Sequence, residues 1–206
     1  MKKFFLALII GFLFCFVINS RIADTQTALA DGVIRLHVVA NSDTQEDQAL
    51  KLKVRNRVLS EAGIVSYGDI DTVSYEICKN IEQIKKCAED EIQKNGYNYN
   101  VNVSYGLSDF PNKKYGNIVL PEGKYQALKI EIGEALGQNW WCVMFPPLCF
   151  VTEDCVKMDT SSQIALKSNV GDNAYNLINN PNGEYNVKFK FYELWQEGQR
   201  LIANMW

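Results

Sequence analysis

The chain has 206 residues and a mass of 23.4 kDa, the size of one ordinary domain. Hydrophobic residues make up 47% and charged residues 22%, with five Pro and thirteen Gly, which excludes a wholly disordered, collagenous or low-complexity chain. The formal net charge is −3, and without residues 1–20 the chain keeps 19 basic against 24 acidic side chains. This balance argues against nucleic-acid binding, which needs a basic excess to displace counterions from phosphates.

The N-terminus carries a long apolar run. Residues 4–18 (FFLALIIGFLFCFVI) follow two lysines, a pattern typical of a secretory signal, and are short for a spanning helix of about 17–25 apolar residues. An A-x-A cleavage pattern, Ala28-Leu29-Ala30, ends twelve residues beyond the run. We expect residues 1–30 to be an export signal that is removed or an N-terminal membrane anchor that is kept, and 31–206 to form a single extracytoplasmic domain. A buried core helix is the alternative for the apolar run.

The domain begins with a predicted strand and helix. The alternation in VIRLHVVA predicts a strand with its aliphatic residues on one face and Arg35 and His37 on the other, where we expect His37 to be partly exposed. Ser42 and Gln45 resemble a capping box, so a helix is predicted to follow and to end at Gly63. Its basic side chains form either a solvated rim or a binding patch: Lys51, Lys53, Arg55 and Arg57.

The middle of the chain predicts one long helix and then strands. Apolar residues keep a spacing of three or four from Ile70 to Ile92, and Asn95-Gly96 ends this second helix. Residues 97–105 alternate strictly, which predicts an antiparallel, half-exposed strand. A polar loop is predicted over 106–114.

Three more strands complete the predicted sheet, over 117–120, 125–132 and 138–145. Residues 152–183 are rich in Asn, Asp, Ser and Thr and predict a long loop that is either functional or mobile. A short strand around 187–191 and a C-terminal helix follow. The order predicts an α+β fold, in which two N-terminal helices and a C-terminal helix pack on an antiparallel meander.

Catalytic signatures are scarce. His37 is the one histidine, so a histidine-based metal site lacks a second ligand, and no nucleophile turn accompanies it. Acidic pairs such as Glu131 and Glu134 have the residue types of a glycosidase, but 24 acidic residues supply such pairs by chance. We therefore expect no enzyme, no metal and no cofactor. A secreted cell-wall enzyme is a rival class, and it predicts a cleft lined by acids.

The cysteines allow one candidate disulfide. Cys78 and Cys87 lie on one predicted helix, about 13 Å apart along its axis and on different sides, so they cannot pair. Cys142 and Cys149 bracket a Pro-Pro step that bends the chain, and they are the candidate disulfide. The alternatives are two free thiols, or Cys155 replacing one of the pair. Five cysteines lie outside the apolar run, so at least one stays free or pairs with another chain.

The segment Asn139–Phe150 (NWWCVMFPPLCF) is the most unusual part of the sequence. Adjacent strand residues face opposite sides, so one set of its side chains fills the core and the other needs a cover. The cover is either another part of the chain or a partner that docks on an exposed apolar patch. The candidate partner-binding residues are Trp140, Trp141, Met144, Phe145, Pro146 and Pro147. Alternatively, the two tryptophans stack on a cell-wall glycan, which would make the chain a secreted glycan-binding module.

Two stretches resemble a known family. RLHVVANSDTQEDQALKLKVR (35–55) and YQALKIEIGEALGQNWWCVMFPPLCF (125–150) are similar to stage II sporulation protein R, and the N-terminal apolar run and overall length agree with that family. The middle helix and residues 152–183 do not carry the resemblance.

The resemblance implies a signalling role. Proteins of this family are made in the forespore and exported to the space between the forespore and mother-cell membranes. There they activate a membrane-embedded aspartic protease, stage II sporulation protein GA, which removes the pro-sequence from a mother-cell sigma factor precursor. The resemblance thus implies a protease activator without catalytic activity, with membrane contact through its N-terminal segment and with no nucleic-acid or small-molecule partner.

Overall fold

The computed structural model describes residues 9–14, 26–61, 69–149 and 160–179. Several predicted features lie outside these ranges: most of the apolar run, Gly63, Cys155, the strand around 187–191 and the C-terminal helix. Within the described ranges, no helix is both long enough and apolar enough to cross a membrane. Residues 9–14 and 26–31 are helical.

A four-stranded mixed sheet forms the centre of the fold, in the order β2-β5-β1-β6. Its strands are β1 (Ile34–Val39), β2 (Val101–Phe110), β5 (Gly123–Ile132) and β6 (Asn139–Phe145). Strand β1 pairs parallel with β5 and antiparallel with β6. The α+β class is confirmed, but the predicted antiparallel meander is wrong, because β1 inserts between β5 and β6. The parallel pairing is possible because three helices connect β1 to β2, which lets β1 lie alongside a strand distant in sequence.

Three helices follow β1, where two were predicted: α1 (Gln45–Glu61), α2 (Ile70–Lys79) and α3 (Ile81–Lys94). The predicted long second helix is interrupted at Asn80, whose φ of −102° and ψ of 14° depart from helical values. The apolar stripe continues across the break, with Ile77 and Ile84 both buried. Periodicity alone therefore could not reveal it. Helix α1 begins as predicted, but the cap is Thr44, whose Oγ1 accepts a hydrogen bond from the Asp47 amide at 3.3 Å.

The two faces of the sheet are covered by different elements. Tyr105 of β2 hydrogen-bonds Ser74 of α2 at 2.7 Å, which places the helices on the face that carries Leu36, Val38 and Leu128. The opposite face carries Arg35, whose guanidinium bonds Tyr115 in the small hairpin of β3 (Lys113–Tyr115) and β4 (Ile118–Leu120). Strand β1 is therefore buried on both faces, and all six of its residues are buried.

Residues 106–114, predicted as a loop, are largely strand, whereas the strand predicted over 117–120 is present as β4. Strand β2 continues to Phe110, and β3 pairs with β4 to form the hairpin. The prediction ends the strand at residue 105, which is too early, because Ser108 and Asp109 are polar residues of the kind found in loops. Phe110 is only 3% exposed and lies on the hairpin face, so the end of the strand is held by its burial.

The prediction of a long loop over 152–183 is wrong for residues 160–178. These residues form helix α4 (Thr160–Ile178), with a non-helical break at Gly171 (φ 80°). Its buried positions recur every four residues: Ser162, Leu166, Val170, Ala174 and Ile178. The polar residues between them hid this stripe from composition-based reasoning.

The carboxyl ends of β1 and β5 are joined by a dense hydrogen-bonded junction. The amides of Leu136 and Gly137 donate to the carbonyls of Asn41 and Ala40 at 3.1 and 3.0 Å. The Gln138 amide donates to Asp43 Oδ1 at 2.7 Å. A Cβ on Gly137 would lie 2.2 Å from the Ser42 carbonyl oxygen, so the two loops approach to a distance that only glycine allows.

This junction predicts a large effect of adding one methyl group. Gly137→Ala should lower the free energy of unfolding by about 1–3 kcal/mol, because the methyl group collides with backbone atoms. Gly106→Ala is the matched control, since a Cβ there meets nothing within 4 Å. Urea unfolding of both variants checks this, and equal midpoints would contradict the close approach.

Candidate functional site

Arg35 occupies the middle of the sheet and is fully buried (0% exposed). Its Nε donates to the Cys142 carbonyl at 3.2 Å, and its Nη2 donates to the Tyr115 hydroxyl at 2.9 Å. The guanidinium carbon lies 4.3 Å from the ring centre of Phe110 and 4.9 Å from that of Tyr125. Within the described part of the chain no carboxylate pairs with it, so aromatic rings and two oxygen acceptors surround the charge.

Burial governs the ionisation of this cluster. It lowers the pKa of Arg35, although the neighbouring tyrosines oppose the shift. Burial also raises the pKa of Tyr125 to about 12, with Arg35 acting in the opposite direction. The tyrosines therefore stay neutral, and the cluster cannot supply a base near neutral pH. Its role is to fix the hairpin and β6 against β1.

His37 lies two residues further along the same face. Its ring stacks on Trp141, with ring centres 3.7 Å apart and planes 19° from parallel. Its Nε2 is 2.6 Å from Asn139 Oδ1. The side chain is only 7% exposed, so the expectation of a partly exposed histidine is wrong. Burial lowers the pKa of His37, and the hydrogen bond to Asn139 only partly offsets this shift.

Beyond His37 no helix or strand of the described ranges covers the hairpin face of the sheet. Lys129 Nζ pairs with Glu131 Oε1 at 2.6 Å, and Asn102 Nδ2 donates to Glu131 Oε2 at 2.9 Å. The hydrogen bond from Lys129 holds the pKa of Glu131 below its usual value. We call this surface the open sheet face and define it by six residues with half-buried or exposed side chains: Asn102, Ser104, Lys129, Glu131, Asn139 and Trp141.

The structure separates the predicted partner-binding residues. Trp141 lies at the open sheet face, whereas Trp140 points to the helix side, where Arg55 sits 4.1 Å from its ring centre. Trp140 is only half-buried.

The next three predicted residues, Met144, Phe145 and Pro146, are buried, and only Pro147 of that run is exposed. Their expected place on an exposed patch is thereby corrected, because β6 ends inside the fold. Alternation had indicated two faces but not that both are covered at this end of the strand.

The cysteines and the basic rim also have defined positions. Cys142 and Cys149 form a disulfide in the structure, while Cys78 is free and exposed and Cys87 is free and buried. In the basic rim, Lys51 is only 4% exposed and donates to the Gln138 carbonyl at 2.8 Å.

The described residues show no catalytic assembly. None of them group as three or more His, Cys, Asp or Glu side chains that could hold a metal ion. Glu131 is engaged by Lys129 and Asn102, and Glu134 lies exposed on the turn after β5. The geometry instead gives a sheet face with two different ends. At one end the buried Arg35 holds the hairpin and β6 against β1, and at the other end lie the polar and aromatic side chains of the open sheet face.

Sequence reasoning missed Arg35, Phe110 and Tyr115 as an organising cluster. The one available signal was an arginine in the middle of a mostly apolar strand. Such a residue must find acceptors when both faces of the strand are buried.

These features define an α+β domain whose buried polar groups are structural. The family model described as Stage II sporulation protein R (spore_II_R) matches residues 30–155, and the chain belongs to this family. It is 39% identical over 125 residues to Stage II sporulation protein R of Bacillus subtilis (strain 168), a match that covers 60% of this chain and 56% of the relative. The matched part thus spans little more than half of the relative's length. No solved structure matches the chain. Family membership supports a role in sporulation.

The single histidine predicts a pH dependence of stability. Since the folded-state pKa of His37 is lowered, the unfolded chain binds the proton more readily. The stabilisation is complete above the ordinary pKa of about 6.5 and is lost as the pH falls through that value towards the lower folded-state pKa. Urea midpoints should therefore fall between about pH 7.5 and pH 5.5, and less steeply in His37→Gln. Parallel profiles in the two proteins would contradict this.

The Tyr115 hydroxyl predicts a stability effect without a change in shape. It accepts from Arg35 and donates to the Trp141 carbonyl at 3.3 Å. Tyr115→Phe should cost about 1–3 kcal/mol of unfolding free energy, because it leaves buried partners unpaired. Tyr75→Phe is the matched control, since Tyr75 is 64% exposed. Thermal or urea unfolding measures both, and a neutral Tyr115→Phe would argue against the arginine-centred cluster.

Proposed function

We propose that this protein is an exported signalling protein of endospore formation. It is made in the forespore and acts in the space between the forespore and mother-cell membranes. There it activates the membrane-embedded aspartic protease called stage II sporulation protein GA, which leads to processing of the mother-cell sigma factor precursor. It acts by binding and not by catalysis. The N-terminal segment provides membrane contact, either until it is cleaved or as a lasting tether.

The family match over residues 30–155 is the observation that carries this proposal. Two further features support it. The apolar run after Lys2 and Lys3 is typical of an export signal. The conspicuous polar groups of the described domain, Arg35 and His37, are buried among structural partners, which suits a binding protein better than a hydrolase.

The open sheet face is the surface that we assign to the protease. It lies within the matched residues, and its half-buried Trp141, packed on His37 and Phe110, shares the face with polar side chains, a combination found in many protein interfaces. The opposite face of the sheet is covered by helices. Of the originally predicted residues, Trp141 is central, and Trp140 and Pro147 lie at other parts of the surface.

Activation requires that the ligand bind the active state of the protease more tightly than the inactive state. Aspartic protease chemistry needs two carboxylates that share one proton. A ligand that orders the protease, or that brings two copies together, would favour the geometry in which these carboxylates meet. A rigid docking face suits this task, because little ordering cost is incurred on binding.

The glycan-binding alternative is disfavoured by the tryptophans themselves. Trp140 and Trp141 are adjacent on β6 and point to opposite faces of the sheet. They therefore cannot form one flat platform for sugar rings. Trp141 is moreover stacked on His37, which occupies one side of its ring.

Reconstitution tests the proposed function. The protein, the candidate protease and the sigma factor precursor are co-expressed in a non-sporulating host. We expect the precursor to be shortened when this protein is present and exported, and to stay intact when it is omitted or lacks residues 1–20. An intact precursor, with all three proteins stable and correctly located, would contradict the proposal.

The assigned surface predicts which variants fail in the same assay. Trp141→Ala and Ser104→Arg should reduce processing by about tenfold or more, because each removes or blocks contact at the open sheet face. Trp140→Ala and Lys86→Glu are matched controls on the helix side and should process nearly normally. Equal export and thermal stability must be verified for each. Normal processing by both open-face variants would move the interface elsewhere.

A further inference from the structure

The A-x-A triplet lies inside the folded domain. Residues 26–31 are helical, and Leu29, the middle residue of Ala28-Leu29-Ala30, is 1% exposed and belongs to the main hydrophobic core. Ala28 and Ala30 are partly buried and pack against the same core. This segment therefore packs as an internal part of the domain, and it does not resemble an exposed linker to a signal that is cleaved off.

Close backbone packing fixes the same segment at its end. A Cβ on Gly32 would lie 2.5 Å from Val170 Cγ1, 2.8 Å from the Ala28 carbonyl oxygen and 3.2 Å from the Asn169 carbonyl carbon. The connection from this helical turn into β1 is thus pressed against α4. Val33, the next residue, is 0% exposed, so the chain enters the core at once.

Cleavage after Ala30 conflicts with this packing. It would remove Leu29 and leave a cavity among core residues. In the folded domain the triplet is helical, with Leu29 buried and both alanines half-buried, so cleavage here would cut away a packed part of the core.

We infer that residues 26–31 are a retained structural wedge of the exported protein and that Ala28-Leu29-Ala30 is not its processing site. Any cleavage then falls before Gln26, or the apolar segment stays attached. The inference about processing rests on the export that the proposed function includes. The packing of Leu29 is independent of export.

The N-terminus of the exported protein tests the inference directly. The full chain is expressed in a secretion-competent bacterial host, and the mass of the extracytoplasmic product is measured. We expect an intact chain or an N-terminus at or before Gln26. An N-terminus between residues 27 and 31 on a folded, protease-resistant product would overturn the inference. Failure of export would instead count against the proposed function.

Thermal unfolding of the full chain supplies the second measurement. Leu29→Ala should lower the unfolding temperature by about 5–15 °C, and Leu29→Met by much less, since it keeps the side-chain volume. Gln26→Ala is the control, because Gln26 is exposed. If Leu29→Ala does not fold, the unfolding temperature of Leu29→Met and the measured N-terminus still test whether residues 26–31 are retained and packed. Equal unfolding temperatures for Leu29→Ala and Gln26→Ala would overturn the inference that residues 26–31 act as a structural wedge.

Discussion

A buried arginine in the central strand is the constraint on which the rest of this fold depends. Arg35 has no exposed surface, and its acceptors are a strand carbonyl and a tyrosine hydroxyl, with aromatic rings around the charge. A guanidinium stays charged under these conditions, so the surrounding oxygens and rings must be held in place. The hairpin therefore has to cover this end of the sheet, and β6 has to lie beside β1. The other end of the same face has no covering element among the residues that the structure describes.

Sequence reasoning recovered the local elements better than their arrangement. Alternation located β1, β5 and β6 to within a residue or two, because a strand pattern is local. The parallel pairing of β1 with β5 was missed, since nothing local distinguishes a central from an edge strand. Helix α4 was missed because its buried stripe is separated by polar residues. In the site, alternation separated Trp140 from Trp141, but the burial of Phe145 depends on elements distant in sequence.

The buried polar groups of the site, like the family match, fit the proposed binding role better than a catalytic one. Arg35 and His37 are side chains of types that could serve catalysis. Both are buried among hydrogen-bonding and aromatic partners, and burial lowers the pKa of each. The surface beside them is polar, aromatic and supported from behind by the helix layer. The proposed activator must bind two states of its partner unequally, and a rigid support suits that task. The packing of residues 26–31 adds that the described core already includes this segment, which follows the apolar run of residues 4–18 by seven residues.

The most direct test of this account is site-specific photocrosslinking in cells that contain the protein and the candidate protease. A photoreactive residue is placed at Ser104 on the open sheet face and, separately, at Lys86 on the helix side; both positions are exposed. Binding through the open sheet face predicts a covalent adduct with the protease from Ser104 and little or none from Lys86. Adducts from Lys86 without adducts from Ser104 would contradict the assigned face, and no adduct from either position would contradict direct binding through either side of the sheet.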